Sequence, residues 1–185
     1  MTINRRDAFT LALAGSAAMI ATDPGVGATP VPRATTIPDW KRGFDNQRIA
    51  DLGEGRFLNP LIGGDHPDPA ILKDGADYYM TFSSFDSYPG LTIWHSRDLV
   101  NWTQRGYAFG RTNETWSRRD FWAPELFAHD GKYYLHFTAQ GGNPRVRRVV
   151  LAEGESPLGP FREIKAPWFD ADRPVIDSHV FRDDD

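Results

Sequence analysis

Ile71-Leu72-Lys73-Asp74-Gly75-Ala76-Asp77-Tyr78-Tyr79-Met80-Thr81-Phe82 returns further along the chain as Leu126-Phe127-Ala128-His129-Asp130-Gly131-Lys132-Tyr133-Tyr134-Leu135-His136-Phe137. Each copy reads as an apolar strand, an Asp-Gly turn and an aromatic strand, the pattern of a β-hairpin. The match takes a one-residue shift at the turn, because the first copy has one more residue between its glycine and its tyrosine pair. A further strand follows each hairpin, Leu91 to His95 in the first unit and Arg147 to Ala152 in the second. A turn and a short aromatic strand complete each unit, over Ser96 to Trp102 and Glu155 to Phe161. A third unit opens at Val180-Phe181. Four short strands repeating every ~55 residues is the sequence sign of a β-propeller. A stand-alone sandwich of two similar sheets is the alternative. Propellers need at least about four blades to close, so the expectation is an all-β chain forming the front of a larger ring.

Working upstream, the first unit is preceded by Asn59 to Leu72, which contains His66-Pro67-Asp68-Pro69. Proline fixes its own φ and biases the residue before it towards extended geometry, so Asp68 is expected to sit on a stiff, extended turn. A carboxylate held there, just before the strand start Ala70-Ile71-Leu72, can serve catalysis or simply make a turn. Asp177 stands in the same relation to Val180-Phe181. Equivalent positions in a propeller face one axis, so Asp68 and Asp177 can converge although they are far apart in sequence. Glu125 is placed at the opening of the second blade, where it could reach the axis and bind a ligand or anchor the turn after Pro124.

Composition narrows the function. The chain has 185 residues, 40% of them hydrophobic, and a net charge of −4, which argues against nucleic acid or an anionic membrane as the main partner. Cysteine is absent, which excludes a disulfide framework, a thiolate metal site and a cysteine nucleophile. Aromatics make up 13% of the chain and suit both a β core and stacking against sugar rings. At the N-terminus, Arg5-Arg6 precedes an apolar run from Ala8 to Ala21 that is too short to span a bilayer, and Val26-Gly27-Ala28 offers a cleavage site. Residues 1–28 therefore read as an export signal of twin-arginine type, although Phe9 falls one place late, with a plain secretory signal as the alternative. Residues 29–56 read as a Pro- and Thr-rich linker followed by an irregular arm. The expected destination is the periplasm or the extracellular space.

Over residues 57–185 the sequence resembles glycoside hydrolase family 43. The resemblance rests on His66-Pro67-Asp68-Pro69, Asp77-Tyr78-Tyr79, Trp94 to Trp102, Phe121-Trp122-Ala123-Pro124-Glu125-Leu126, Ser156 to Phe161 and Val175 to Phe181. It implies a five-bladed propeller, here two blades and the start of a third. It further implies inverting hydrolysis of β-xylosyl or α-L-arabinofuranosyl units, with xylo- or arabino-oligosaccharides as partners. By resemblance Asp68 matches the general base, and Asp177 the aspartate that tunes and positions the general acid. That acid is a glutamate further along than Asp185, so these residues alone are expected to be inactive. Phe85 and Trp122 match residues that wall the sugar pocket, with blade packing as their alternative. No cofactor is implied for catalysis; the family often carries a structural calcium ion whose main ligand would again lie further along.

The remaining polar groups add little. The five histidines show no His-x-x-x-His spacing, so no protein-built zinc site is expected. Arg145 and Arg147 fall on one strand face and read as solvated. Two rival functions stand beside the hydrolase: a non-catalytic sugar-binding propeller, and a retaining fructosidase. The nucleophile motif expected for the latter differs from His66-Pro67-Asp68-Pro69.

Overall fold

The computed structural model describes residues 41–42, 48–110, 116, 119–142, 145–165, 174–181 and 183. The expected export signal and most of the linker lie outside the described residues. The arm is not irregular where it is described. It forms strands β1 (Lys41–Arg42), β2 (Arg48–Ile49), β3 (Asp51–Gly53) and β4 (Arg56–Phe57), paired β1 with β2 and β3 with β4. The Asn101 side-chain amide donates to Asp51 Oδ2 at 2.8 Å and so ties this arm to the domain.

Two four-stranded antiparallel meanders follow. The first runs β5 (Ala70–Asp74), β6 (Asp77–Thr81), β7 (Thr92–Ser96) and β8 (Thr103–Tyr107). The second runs β9 (Trp122–His129), β10 (Lys132–Gly141), β11 (Val146–Gly154) and β12 (Arg162–Lys165). Each has the up-and-down order of a propeller blade. Beyond Ser96, which ends β7, the stretch to Trp102 is not a strand but the turn before β8, and Glu155 to Phe161 is likewise the turn before β12. In the first of them the Asp98 carboxylate accepts hydrogen bonds from Asn101, Val100 and Ser96, which satisfies the turn locally. These bonds, that of the Asn101 side chain foremost, hold Asp98 well below the usual carboxylate range.

The repeat is stricter than the sequence suggested. Ala70 pairs with Thr81 and, 55 positions later, Glu125 pairs with His136. Asp74 pairs with Asp77, and His129 with Lys132. The register therefore holds throughout the hairpin. The apparent shift is only a change of turn dipeptide, Gly75-Ala76 in one blade and Asp130-Gly131 in the other. Asp130 and Gly131 both have positive φ, at 49° and 75°, as a type I′ hairpin turn requires.

The core lies between the blades. Leu91 and Ile93 of the first pack with Leu126, Leu135, Phe137, Val150 and Ala152 of the second, closed by Phe109, Phe121 and Phe161. Each fully buried side chain of this kind is worth about 1.5–3 kcal/mol. Strand alternation sends Leu135 and Phe137 into this core and turns His136 and Thr138 to the other face of the second blade. Residues 174–181 contain no strand. The expected opening of a third blade is present as an irregular segment held by side chains rather than by a sheet ladder.

Candidate active site

At the opening of each blade an equivalent position lies in the left-handed backbone region: Asp68 (φ 54°), Ala123 (φ 39°) and Asp177 (φ 55°). They fall at the same position of successive repeats. Asp68 is therefore not extended, as its flanking prolines had suggested. The residue equivalent to it in the second blade is Ala123, not Glu125. Left-handed backbone costs a non-glycine residue roughly 1–2 kcal/mol, least for Asp and Asn, so something must hold it.

A hydroxyl holds the next opening in both cases. Ser83, just past the end of β6, accepts the Ala123 N–H at 2.7 Å. Thr138 of β10, at the same repeat position as Ser83, accepts the Asp177 N–H at 3.1 Å. Ser83 has a second task, since its hydroxyl donates to Asp68 Oδ2 at 2.5 Å. One side chain thus fixes both the Asp68 carboxylate and the start of the neighbouring blade. The sequence did not single out Ser83 or Thr138; their shared repeat position was the available signal.

Asp68 and Asp177 line one open cleft of about 350 Å³, together with Ala70, Ile71, Ala123 and Glu125. The two carboxylates come from the openings of different blades, as expected. Behind them sits Glu125. Its Oε2 lies 2.7 Å from His136 Nε2 and accepts the Val180 N–H at 3.0 Å, and its Oε1 lies 2.8 Å from His179 Nδ1. Of the two readings left open for Glu125, an anchoring role has the contacts, directed to the segment after Asp177. His136 is fully buried, and that burial lowers its pKa in spite of the opposing Glu125 charge.

Phe85 and Trp122 do not line this cleft. Phe85 is 47% exposed and lies beside Phe121, with which it exchanges backbone hydrogen bonds of 3.0 and 3.2 Å. The Trp122 ring lies under the Arg147 guanidinium at 4.3 Å, and Arg147 Nε also donates to Asp120 at 3.0 Å. Arg147, although its side chain stays 41% exposed, is thus also engaged with an aromatic face and a carboxylate. His66 occupies the repeat position of Phe121. It packs on Phe82 at 4.7 Å as Phe121 packs on Phe137 at 5.6 Å, so its place is structural.

Comparison with known proteins agrees with this geometry. Residues 57–185 match the model of the glycosyl hydrolases family 43. The chain is 36% identical over 118 residues to a non-reducing end alpha-L-arabinofuranosidase of Bacteroides ovatus, covering 60% of this chain and 22% of that protein. It is 33% identical over 142 residues to a xylan 1,3-beta-xylosidase of a Vibrio species, covering 69% of this chain and 25% of that protein. The chain thus spans about a quarter of the length of these relatives. In the crystal structure of a thermostable family-43 glycoside hydrolase, 68% of this chain superposes on 41% of that one with a TM-score of 0.61 at 37% identity. With two propeller blades, carboxylates from the first and third openings in one cleft and a match over more than two-thirds of its residues, the chain belongs to glycosyl hydrolase family 43.

Proposed function

We propose that the chain supplies the first two blades, and the opening of a third, of an exported glycosidase that hydrolyses β-xylosides or α-L-arabinofuranosides with inversion. The observation that carries this reading is the meeting of Asp68 and Asp177, from two blade openings, in one cleft. Similarity to a xylosidase and to an arabinofuranosidase supports the substrate class.

Asp68 acts as general base. Ser83 engages its Oδ2 and leaves Oδ1 to take a proton from the water that attacks the anomeric carbon. The base and the acid of an inverting site stand about 6.5–9.5 Å apart, which leaves room for that water. The acid is a glutamate supplied from outside these residues. Asp177 acts on it as a nearby negative charge, which favours its protonated form and readies it to donate to the leaving oxygen. Among the described residues no three His, Asp or Glu side chains converge on a point suited to a metal ion. The calcium implied by the resemblance is therefore assigned no ligands among them, and no step is drawn through it. Residues 1–28 direct export, which places the enzyme where plant polysaccharides are met.

The test is proton NMR of the complete enzyme acting on nitrophenyl β-D-xyloside and nitrophenyl α-L-arabinofuranoside. The expected first product carries inverted anomeric configuration. Retention, or a folded enzyme that hydrolyses neither glycoside, overturns the proposal.

A further inference from the structure

The segment that carries Asp177 has no strand partner, yet every residue from Asp177 to Val180 is held by a side chain of the second blade. Thr138 takes the Asp177 N–H at 3.1 Å, and His136 Nδ1 lies 2.8 Å from Ser178 Oγ. Glu125 takes the Val180 N–H at 3.0 Å and meets His179 Nδ1 at 2.8 Å. His136 Nε2 completes the chain at 2.7 Å from Glu125 Oε2.

The proton positions follow from donor chemistry. An ionised Glu125 only accepts hydrogen bonds, so His136 Nε2 carries a proton. His136 is fully buried, and burial favours its neutral form. A neutral ring protonated at Nε2 leaves Nδ1 as an acceptor, so the Ser178 hydroxyl donates to it. The Ser178 proton is thereby committed to the interior, away from the neighbouring carboxylate.

The first blade shows that the fold does not require this arrangement. The cross-strand pair equivalent to Glu125 and His136 is Ala70 and Thr81. Thr81 Oγ1 is buried and finds no hydrogen-bond partner among the described residues. A small pair therefore suffices for blade packing at this position. The polar chain is present only where a catalytic carboxylate follows on the next opening.

We propose that Glu125, His136 and Ser178 form a positioning relay for Asp177, fixing the peptide that presents its carboxylate to the cleft. The proposal rests on the inverting-hydrolase reading. None of the three touches the reacting atoms; they act through Asp177.

The experiment compares wild type, Ser178→Ala and Ser178→Thr in the complete enzyme, together with ¹⁵N NMR of the His136 ring. Ser178→Ala is expected to lower kcat about tenfold with KM within about twofold, because the interaction serves the transition state. Ser178→Thr, which keeps the hydroxyl, restores kcat to within about threefold of wild type. The His136 ring should show a proton on Nε2 alone. Wild-type kcat in Ser178→Ala overturns the relay while leaving the hydrolase reading intact. A folded wild type inactive on both glycosides sinks the hydrolase reading and the relay's catalytic role with it. A His136 ring protonated on Nδ1 overturns the relay whatever the activity.

Discussion

The two blades share a backbone and differ in what they place near the axis. The first puts a carboxylate, Asp68, at its left-handed opening and a small pair, Ala70 and Thr81, behind it. The second puts Ala123 at the opening and a polar pair, Glu125 and His136, behind it. The hydroxyl that fixes the next opening, Ser83 or Thr138, is common to both. The opening is thus a structural slot that the fold maintains in each repeat. Chemistry is a matter of which side chain fills it. The second blade contributes no carboxylate there and instead adds Glu125 and His136 to the hydroxyl that holds the opening after it.

Replacement of the base aside, the sharpest test of this division is Asp177→Asn. On the proposed reading the acid then loses the charge that tunes it, and kcat of the complete enzyme is expected to fall about 10²–10³-fold, consistent with the usual worth of general acid catalysis. The Ser83 and Thr138 pair comes next. Ser83→Ala removes a bond to Asp68, the proposed base, as well as the inter-blade clamp, so kcat should fall about tenfold with roughly 1 kcal/mol of stability lost. Thr138→Ala removes only the clamp, so a similar stability loss with a smaller kinetic effect is expected. Equal kinetic losses in the two variants would break the comparison.

The smallest effect lies on the outer edge of the second blade. Burial pushes Glu163 of β12 up to about 7, against the Trp116 N–H bond that lowers it. Its carboxyl binds a proton in the folded state that the unfolded chain has already lost between its ordinary value of 4.5 and about 7. Stability contributed by this group is therefore present at low pH, falls through that window, and is flat above it. Glu163→Gln should raise stability above pH 7 by about 1 kcal/mol, after allowance for the solvent that still reaches the group. It should change little at pH 4, as thermal melts at the two pH values would show.

The hairpins were legible because their signals are local: alternating apolar and aromatic residues around a glycine turn. The convergence of Asp68 and Asp177 was legible because it follows from repeat arithmetic. The backbone at Asp68 was not, since Pro67 and Pro69 argue for extended geometry while the left-handed turn is accompanied by a hydrogen bond to Ser83, 15 residues away. The role of Glu125 stayed undecided between sugar binding and anchoring for a related reason. Its partners His136, His179 and Val180 come from a neighbouring strand and from the next opening. The contacts of Arg147 were not legible, because strand alternation places a side chain on a face without saying that Trp122 and Asp120 wait there.

The central claim is that the first blade's opening carries the base. It is tested most directly by kcat of Asp68→Asn in the complete enzyme, with its melting temperature measured alongside. The account predicts a loss of about 10³-fold or more with melting little changed. Near-wild-type turnover in a folded Asp68→Asn protein would contradict it.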